Sequence, residues 1–147
     1  MSGPSLHKLD AHRSIHNGVI TEGRDLLELL LKVQNEKLEN YEEHMKITAD
    51  ALIEHWETRL IAHADSEEEG FYEERLKQNP KLTEPLTKLK RDHDLFRIII
   101  TDIREEITKE KKITQDIIDR FKTIYVLAQI HNKEEENFLF HDDQQVS

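Results

Sequence analysis

The chain has 147 residues, 35% of them charged, 36% hydrophobic and 6% aromatic, and carries a formal net charge of −10 at pH 7. That charge argues against nucleic acid or anionic lipid as a partner, since a phosphate backbone rewards Lys and Arg. With no cysteine, disulfides, thiol catalysis and thiolate metal sites are all excluded. No window approaches membrane-spanning length and MSGPSLHKLD lacks a signal-peptide core, so a cytoplasmic protein with no membrane partner is expected.

The length suits one domain, 1–147, with enough chain to enclose a core. Four glycines and three prolines are the only strong breakers; none lies between Arg24 and Glu69, and none follows Pro85. That spacing predicts long uninterrupted helices.

In chain order, the first helix is predicted through Leu9, His12, His16, Ile20, Gly23, Leu27 and Leu30. Gly18 and Gly23 within it each cost about 1 kcal/mol against alanine and allow a bend. Its end is not marked, because EKLENYEEHMKI holds no clear stop. The second runs through Leu52, Trp56, Leu60, His63, Glu67 and Phe71. Thr83 and Pro85 signal the start of the third, whose stripe is Leu86, Leu89, His93, Phe96, Ile100, Ile103 and Ile107. Thr114 caps the fourth, which carries Ile117, Phe121, Ile124, Ala128, His131, Glu135 and Phe138. With joints at QNPKLTEP and KEKKIT, the expected fold is all-α, an antiparallel up-down four-helix bundle. The basic runs KLKR and KEKK, interleaved with acids, read as solvated surface.

A plain bundle fills its seams with Leu, Ile and Ala. This one places His16, His63, Glu67, His93, His131 and Glu135 there. HADSEEEGFY and HNKEEENFLF repeat one arrangement, a histidine with glutamates one turn later and an aromatic ending. A step of four residues rises about 6 Å and turns about 40° past a full turn, so His63 and Glu67 project together, as do His131 and Glu135. A lone seam histidine is ordinarily a hydrogen-bonded core residue, and a lone HxxxE a surface pair. A histidine on every helix with two glutamates at the same offset points instead to metal, because an ionised carboxylate in a dry interior needs a cation. Four histidines and two carboxylates exceed a tetrahedral zinc site. Shared between two ions, with the glutamates bridging, they give each two nitrogens and two oxygens and leave open positions, a donor set suited to iron and secondarily to manganese.

Several further residues have open roles. His12 lies one turn before His16 and His55 two turns before His63; each is an extra ligand, a hydrogen-bond partner of a ligand, or a boundary residue. Arg59 either pairs with a buried carboxylate or snorkels outward. His7, His44 and His141 read as solvated, and Tyr72 and Phe140 as packing.

These residues resemble the hemerythrin family, specifically the hemerythrin-like HHE domains. The resemblance covers nearly the whole chain and rests on His16 in AHRSIHNG, on HxxxEE followed by FY in HADSEEEGFYEERL, on DHDLFR, and on the second HxxxEE. It implies a four-helix bundle holding two non-haem iron ions, oxo- or hydroxo- and carboxylate-bridged, with His16, His63, His93 and His131 as ligands and Glu67 and Glu135 as bridges. Oxygen-carrying hemerythrins have a second histidine one turn before the third-helix histidine; here that position is Leu89. Their fourth-helix carboxylate, five residues after the histidine, would fall on Glu136, which stands as the substitute for Glu135.

The expected function is binding or sensing of a small diatomic ligand or oxidant: oxygen, nitric oxide or peroxide. Leu89 leans away from reversible oxygen storage. Turnover of peroxide or nitric oxide, or iron handling, is the enzymatic alternative; a metal-free interaction module is the third. No Glu-x-x-His occurs, against a ferritin-like carboxylate site, and HExxH, GxGxxG and P-loop motifs are missing.

Overall fold

A computed structural model describes residues 9–140. All regular structure among them is helical, in four long segments. α1 is Leu9–Glu36, α2 spans 41–78, α3 is Thr83–Glu110 and α4 is Gln115–Leu139. None is long and apolar enough to cross a membrane.

The helices end without glycine. Lys37 and Asn40, with φ of 48° and 62°, turn the chain between α1 and α2, which answers where the unmarked first helix stops. Lys111, with φ of 59°, ends α3, and its N–H bonds the Ile107 carbonyl at 2.8 Å. Thr114 does cap α4: its hydroxyl oxygen accepts from the Ile117 N–H at 3.3 Å. Ahead of α3, Asn79 accepts from the Lys81 N–H and starts a 3₁₀ turn, Pro80–Leu82. α3 then begins at Thr83, whose hydroxyl donates to the Pro80 carbonyl.

α2 is not a uniform helix. Two π-helical turns, Trp56–Ile61 and Glu67–Phe71, interrupt it, with N–H to O=C bonds from Ala62 to Glu57 and from Tyr72 to Glu67. Each wider turn slips the inward face by a fraction of a residue. After the second, Phe71 and Tyr72 are both buried.

α1 packs on α2 and α4, and α3 on α4 and on the first π-turn of α2. Two apolar clusters form. One holds Leu27, Leu30, Leu52, Trp56, Phe96, Ile103, Phe121 and Ile124; the other holds Phe71, Tyr72, Leu86, Leu89, Leu139 and Phe140, with Leu9 against it. Along α1 and α3 the chain runs from the second cluster to the first; along α2 and α4 it runs the opposite way. Between the clusters every helix carries a buried or half-buried polar layer. The predicted stripes match this core with one exception: Phe138 is exposed, and Leu139 and Phe140 turn inward instead.

Gly23 has a specific packing role. A Cβ placed there would lie 2.4 Å from Trp56 Cη2 and 2.6 Å from Cζ2, so the indole seats directly on the α1 backbone. Gly18, in contrast, has open space around it.

Candidate metal centre

The polar layer is built around two carboxylates. Glu67 and Glu135 are almost fully buried, and five imidazoles surround them: His12, His16, His63, His93 and His131. All five turn Nε2 inward. Glu67 Oε2 lies 3.3 Å from His12 Nε2 and 3.5 Å from His63 Nε2, while its Oε1 lies 3.4 Å from His93 Nε2. Glu135 Oε1 accepts from His12 Nε2 and lies 3.1 Å from His16 Nε2; its Oε2 lies 3.4 Å from His131 Nε2. Each carboxylate therefore gives one oxygen to a three-imidazole side and the other to a two-imidazole side. Two ligand sets result, His12, His16, His63 and Glu67 on one side and Glu67, His93, His131 and Glu135 on the other, each compact enough to hold a metal ion.

The six residues expected from the sequence, His16, His63, Glu67, His93, His131 and Glu135, thus come together. His12 joins them, so the division is three imidazoles and two, in place of the even split that the spacing suggested. His55 does not. It is buried beside Trp56, its Nε2 2.8 Å from the Val19 carbonyl oxygen and its Nδ1 3.5 Å from Glu22. Arg59 is exposed and makes no ion pair to a buried carboxylate among the described residues. His44 is exposed as expected; His7 and His141 lie outside the described residues.

Glu136 takes a different part from the one assigned as a substitute for Glu135. Its Oε2 accepts from His16 Nδ1 at 2.9 Å, and its Oε1 from Arg13 Nε at 2.8 Å. Glu68 does the same across the molecule, its Oε2 3.0 Å from His93 Nδ1. In both HxxxEE motifs, then, the first glutamate enters the layer and the second reaches the back of a histidine on a neighbouring helix. One residue along a helix turns about 100°, and this carries the second carboxylate from the seam to the flank. Asp92 completes the set at 2.8 Å from His131 Nδ1. A carboxylate behind an imidazole fixes which ring nitrogen carries the proton, leaving Nε2 to face inward, and makes that nitrogen a better donor to metal. Arg97 holds Glu68 at 2.5 Å, together with Asp65 at 2.6 Å and Asp94 at 2.9 Å. These contacts raise the Arg97 pKa against the opposing effect of burial.

The sequence assigns Tyr72 to packing; the structure places it beside the buried carboxylates. Its hydroxyl donates to Glu135 Oε2 and lies 3.3 Å from His93 Nε2, with its ring stacked on that imidazole. Burial, and then the Glu135 charge, push its pKa upward, so it stays a protonated donor. Phe140 does pack, against His12 and Phe71, and Arg75 lies over the Phe71 and Phe140 rings.

The buried imidazoles and carboxylates hold one another charged. Burial lowers the pKa of His12, but its hydrogen bond to Glu135 and the nearby Glu67 and Glu135 charges outweigh it and raise the value from 6.5 to about 10. His131 behaves alike: burial opposes, Asp92 and Glu135 prevail, and the pKa rises to about 10. Burial pushes Glu135 up, yet His12, His131 and His16 hold it well below its ordinary value. Glu67 is also lowered, its imidazole partners overcoming burial and the Glu135 charge. Two features fit metal better than protons alone. His63 Nε2 and Glu67 Oε2 are buried without a hydrogen-bond partner among the described residues, and His93 and His131 set their Nε2 atoms 3.2 Å apart. An imidazole donor and a carboxylate acceptor left unmatched in a dry interior suit a shared cation. The residues present therefore fit metal, each of the two groups being able to hold an ion.

No protein-family model matches this chain, and no curated protein or solved structure matches it either.

Proposed function

We propose that this chain is a hemerythrin-like, non-haem di-iron protein, an antiparallel up-down four-helix bundle that binds or senses a small diatomic ligand or oxidant. Oxygen, nitric oxide and peroxide are the candidates. The single observation behind this reading is that each of two buried carboxylates turns one oxygen toward each of two imidazole groups. The alternating order of the apolar clusters along successive helices supports the bundle topology.

His12, His16 and His63 would hold one ion and His93 and His131 the other, with Glu67 and Glu135 between them. Iron in such mixed nitrogen and oxygen surroundings supplies one-electron redox chemistry and exchangeable coordination positions. The protein's own contribution is to shape the less filled half. Leu89, fully buried, stands where another imidazole could have entered, and Tyr72 presents a hydroxyl proton beside His93 and Glu135. The apolar clusters on both sides keep bulk water from the layer.

Loading purified protein anaerobically with ferrous iron tests the proposal. Two irons per chain and a charge-transfer absorption on exposure to air are expected; absence of either rejects it. Tyr72 also gives the enzymatic alternative a specific motive, because a buried proton donor suits turnover of peroxide or nitric oxide. Steady-state consumption of either substrate with a supplied reductant would favour that reading over stoichiometric binding.

A further inference from the structure

Of the five site imidazoles, four are nearly closed off, with side-chain exposures of 0% for His12, 5% for His16, 1% for His93 and 3% for His131. His63 is the exception at 19%. Its exposed edge forms part of the wall of a groove of about 600 Å³ between α1 and α2. Ser14, Gly18 and Glu22 line one side, and Arg59, Ala62 and His63 the other. The groove is therefore walled partly by small residues, and nothing lies within 4 Å of where a Gly18 Cβ would stand. On its inner side, His63 Nε2 is the buried nitrogen without a hydrogen-bond partner, 3.5 Å from Glu67. One ring thus spans from groove to ligand layer.

The groove is lined by one cation, Arg59, and one carboxylate, Glu22. Arg59 is exposed and makes no ion pair among the described residues, whereas the Glu22 carboxylate lies 3.5 Å from His55 Nδ1. A guanidinium with no fixed partner at the rim of a cleft attracts small anions, an effect that weakens with ionic strength.

We propose that the α1–α2 groove is the port through which small ligands reach the site past His63, and that Arg59 favours anionic ones. This inference rests on the metal-site reading for what lies beyond the port, but the port itself can be tested without metal.

Carbethoxylation of the metal-free protein, read residue by residue by mass spectrometry with exposed His44 as internal reference, gives the first arm. His63 should react faster than His12, His93 and His131, and Gly18→Phe should protect it while Gly18→Ala does not. The second arm follows azide binding to the ferric iron-loaded protein by absorbance. Gly18→Phe should slow association about tenfold, within the range over which single substitutions alter on-rates, and leave the end-point spectrum unchanged. Arg59→Gln should slow azide association and remove most of its ionic-strength dependence. Ala62→Phe fills the opposite wall and replaces Gly18→Phe if that variant does not fold. Equal His63 reactivity in plugged and native protein, or azide rates indifferent to both plugs, would overturn the port. A rate indifferent to Arg59→Gln would overturn its anion preference. If the protein takes up no metal, the di-iron reading fails on its own, and the footprint still decides the port.

Discussion

Replacing Gly23 and Gly18 separately by alanine should shift stability in opposite directions, although both glycines lie inside α1. In a helix interior, Gly→Ala is worth about 1 kcal/mol from backbone propensity alone. At Gly18 nothing opposes this gain, because the added methyl meets open space. At Gly23 the methyl would fall 2.4 Å from Trp56 Cη2, more than 1 Å inside the roughly 3.5–4.0 Å separation of carbon atoms in contact. Trp56 is fully buried and cannot swing out, so the helices must part. Overpacking of this kind costs about 1–3 kcal/mol, and so close an approach belongs at the upper end. The net expectation is a loss of about 1–2 kcal/mol for Gly23→Ala and a gain of up to about 1 kcal/mol for Gly18→Ala. For a chain of this size, each kcal/mol moves Tm by about 2–4 °C. Thermal and urea unfolding of the metal-free proteins would measure it, followed by circular dichroism and by Trp56, the one tryptophan of the chain. Should Gly23→Ala prove as stable as Gly18→Ala, the seat of the indole on α1 is wrong, and with it the account of how α1 is held against α2 about two turns from His63.

Three more outcomes follow from the site. Glu68→Gln and Glu136→Gln leave every inward donor in place but withdraw the charge behind His93 and His16; metal affinity should fall about 10–100-fold in each, measured by competition with a chelator, and unchanged affinity would rule out this role. Tyr72→Phe removes the hydroxyl bonded to Glu135 and leaves the ring stacked on His93, so the iron-loaded spectrum should shift while metal stoichiometry holds at two. An identical spectrum would return Tyr72 to packing. The metal-free protein should show a pH-dependent stability. The raised pKa values of His12 and His131 contribute stability fully below about 6.5 that is lost as pH climbs through about 10. The depressed Glu135 contributes stability above 4.5 that is lost on acidification. Urea titrations across pH should therefore give a maximum between these limits, and a stability that rises from neutral to alkaline pH would contradict the ion-pair arrangement.

Periodicity alone determined most of the helical stripes and the residues that converge. Leu, Ile and Phe at threes and fours demand burial, and a histidine or glutamate at the same phase is carried inward with them. His16, His63, Glu67, His93, His131 and Glu135 were legible for that reason, and the doubled HxxxEE already held Glu68 and Glu136 as a matched second pair. What periodicity cannot carry is anything that depends on two helices at once or on a departure from 3.6 residues per turn. The π-turn at Glu67–Phe71 brings Tyr72 inward out of phase with its stripe. The relative height of α1 sets His12 among the groups that could hold metal, while His55, also buried, meets a backbone carbonyl instead. Spacing within α4 turns Glu136 to the flank, but that it meets His16 there depends on where the α1 histidine stands, a distance fixed by helix packing.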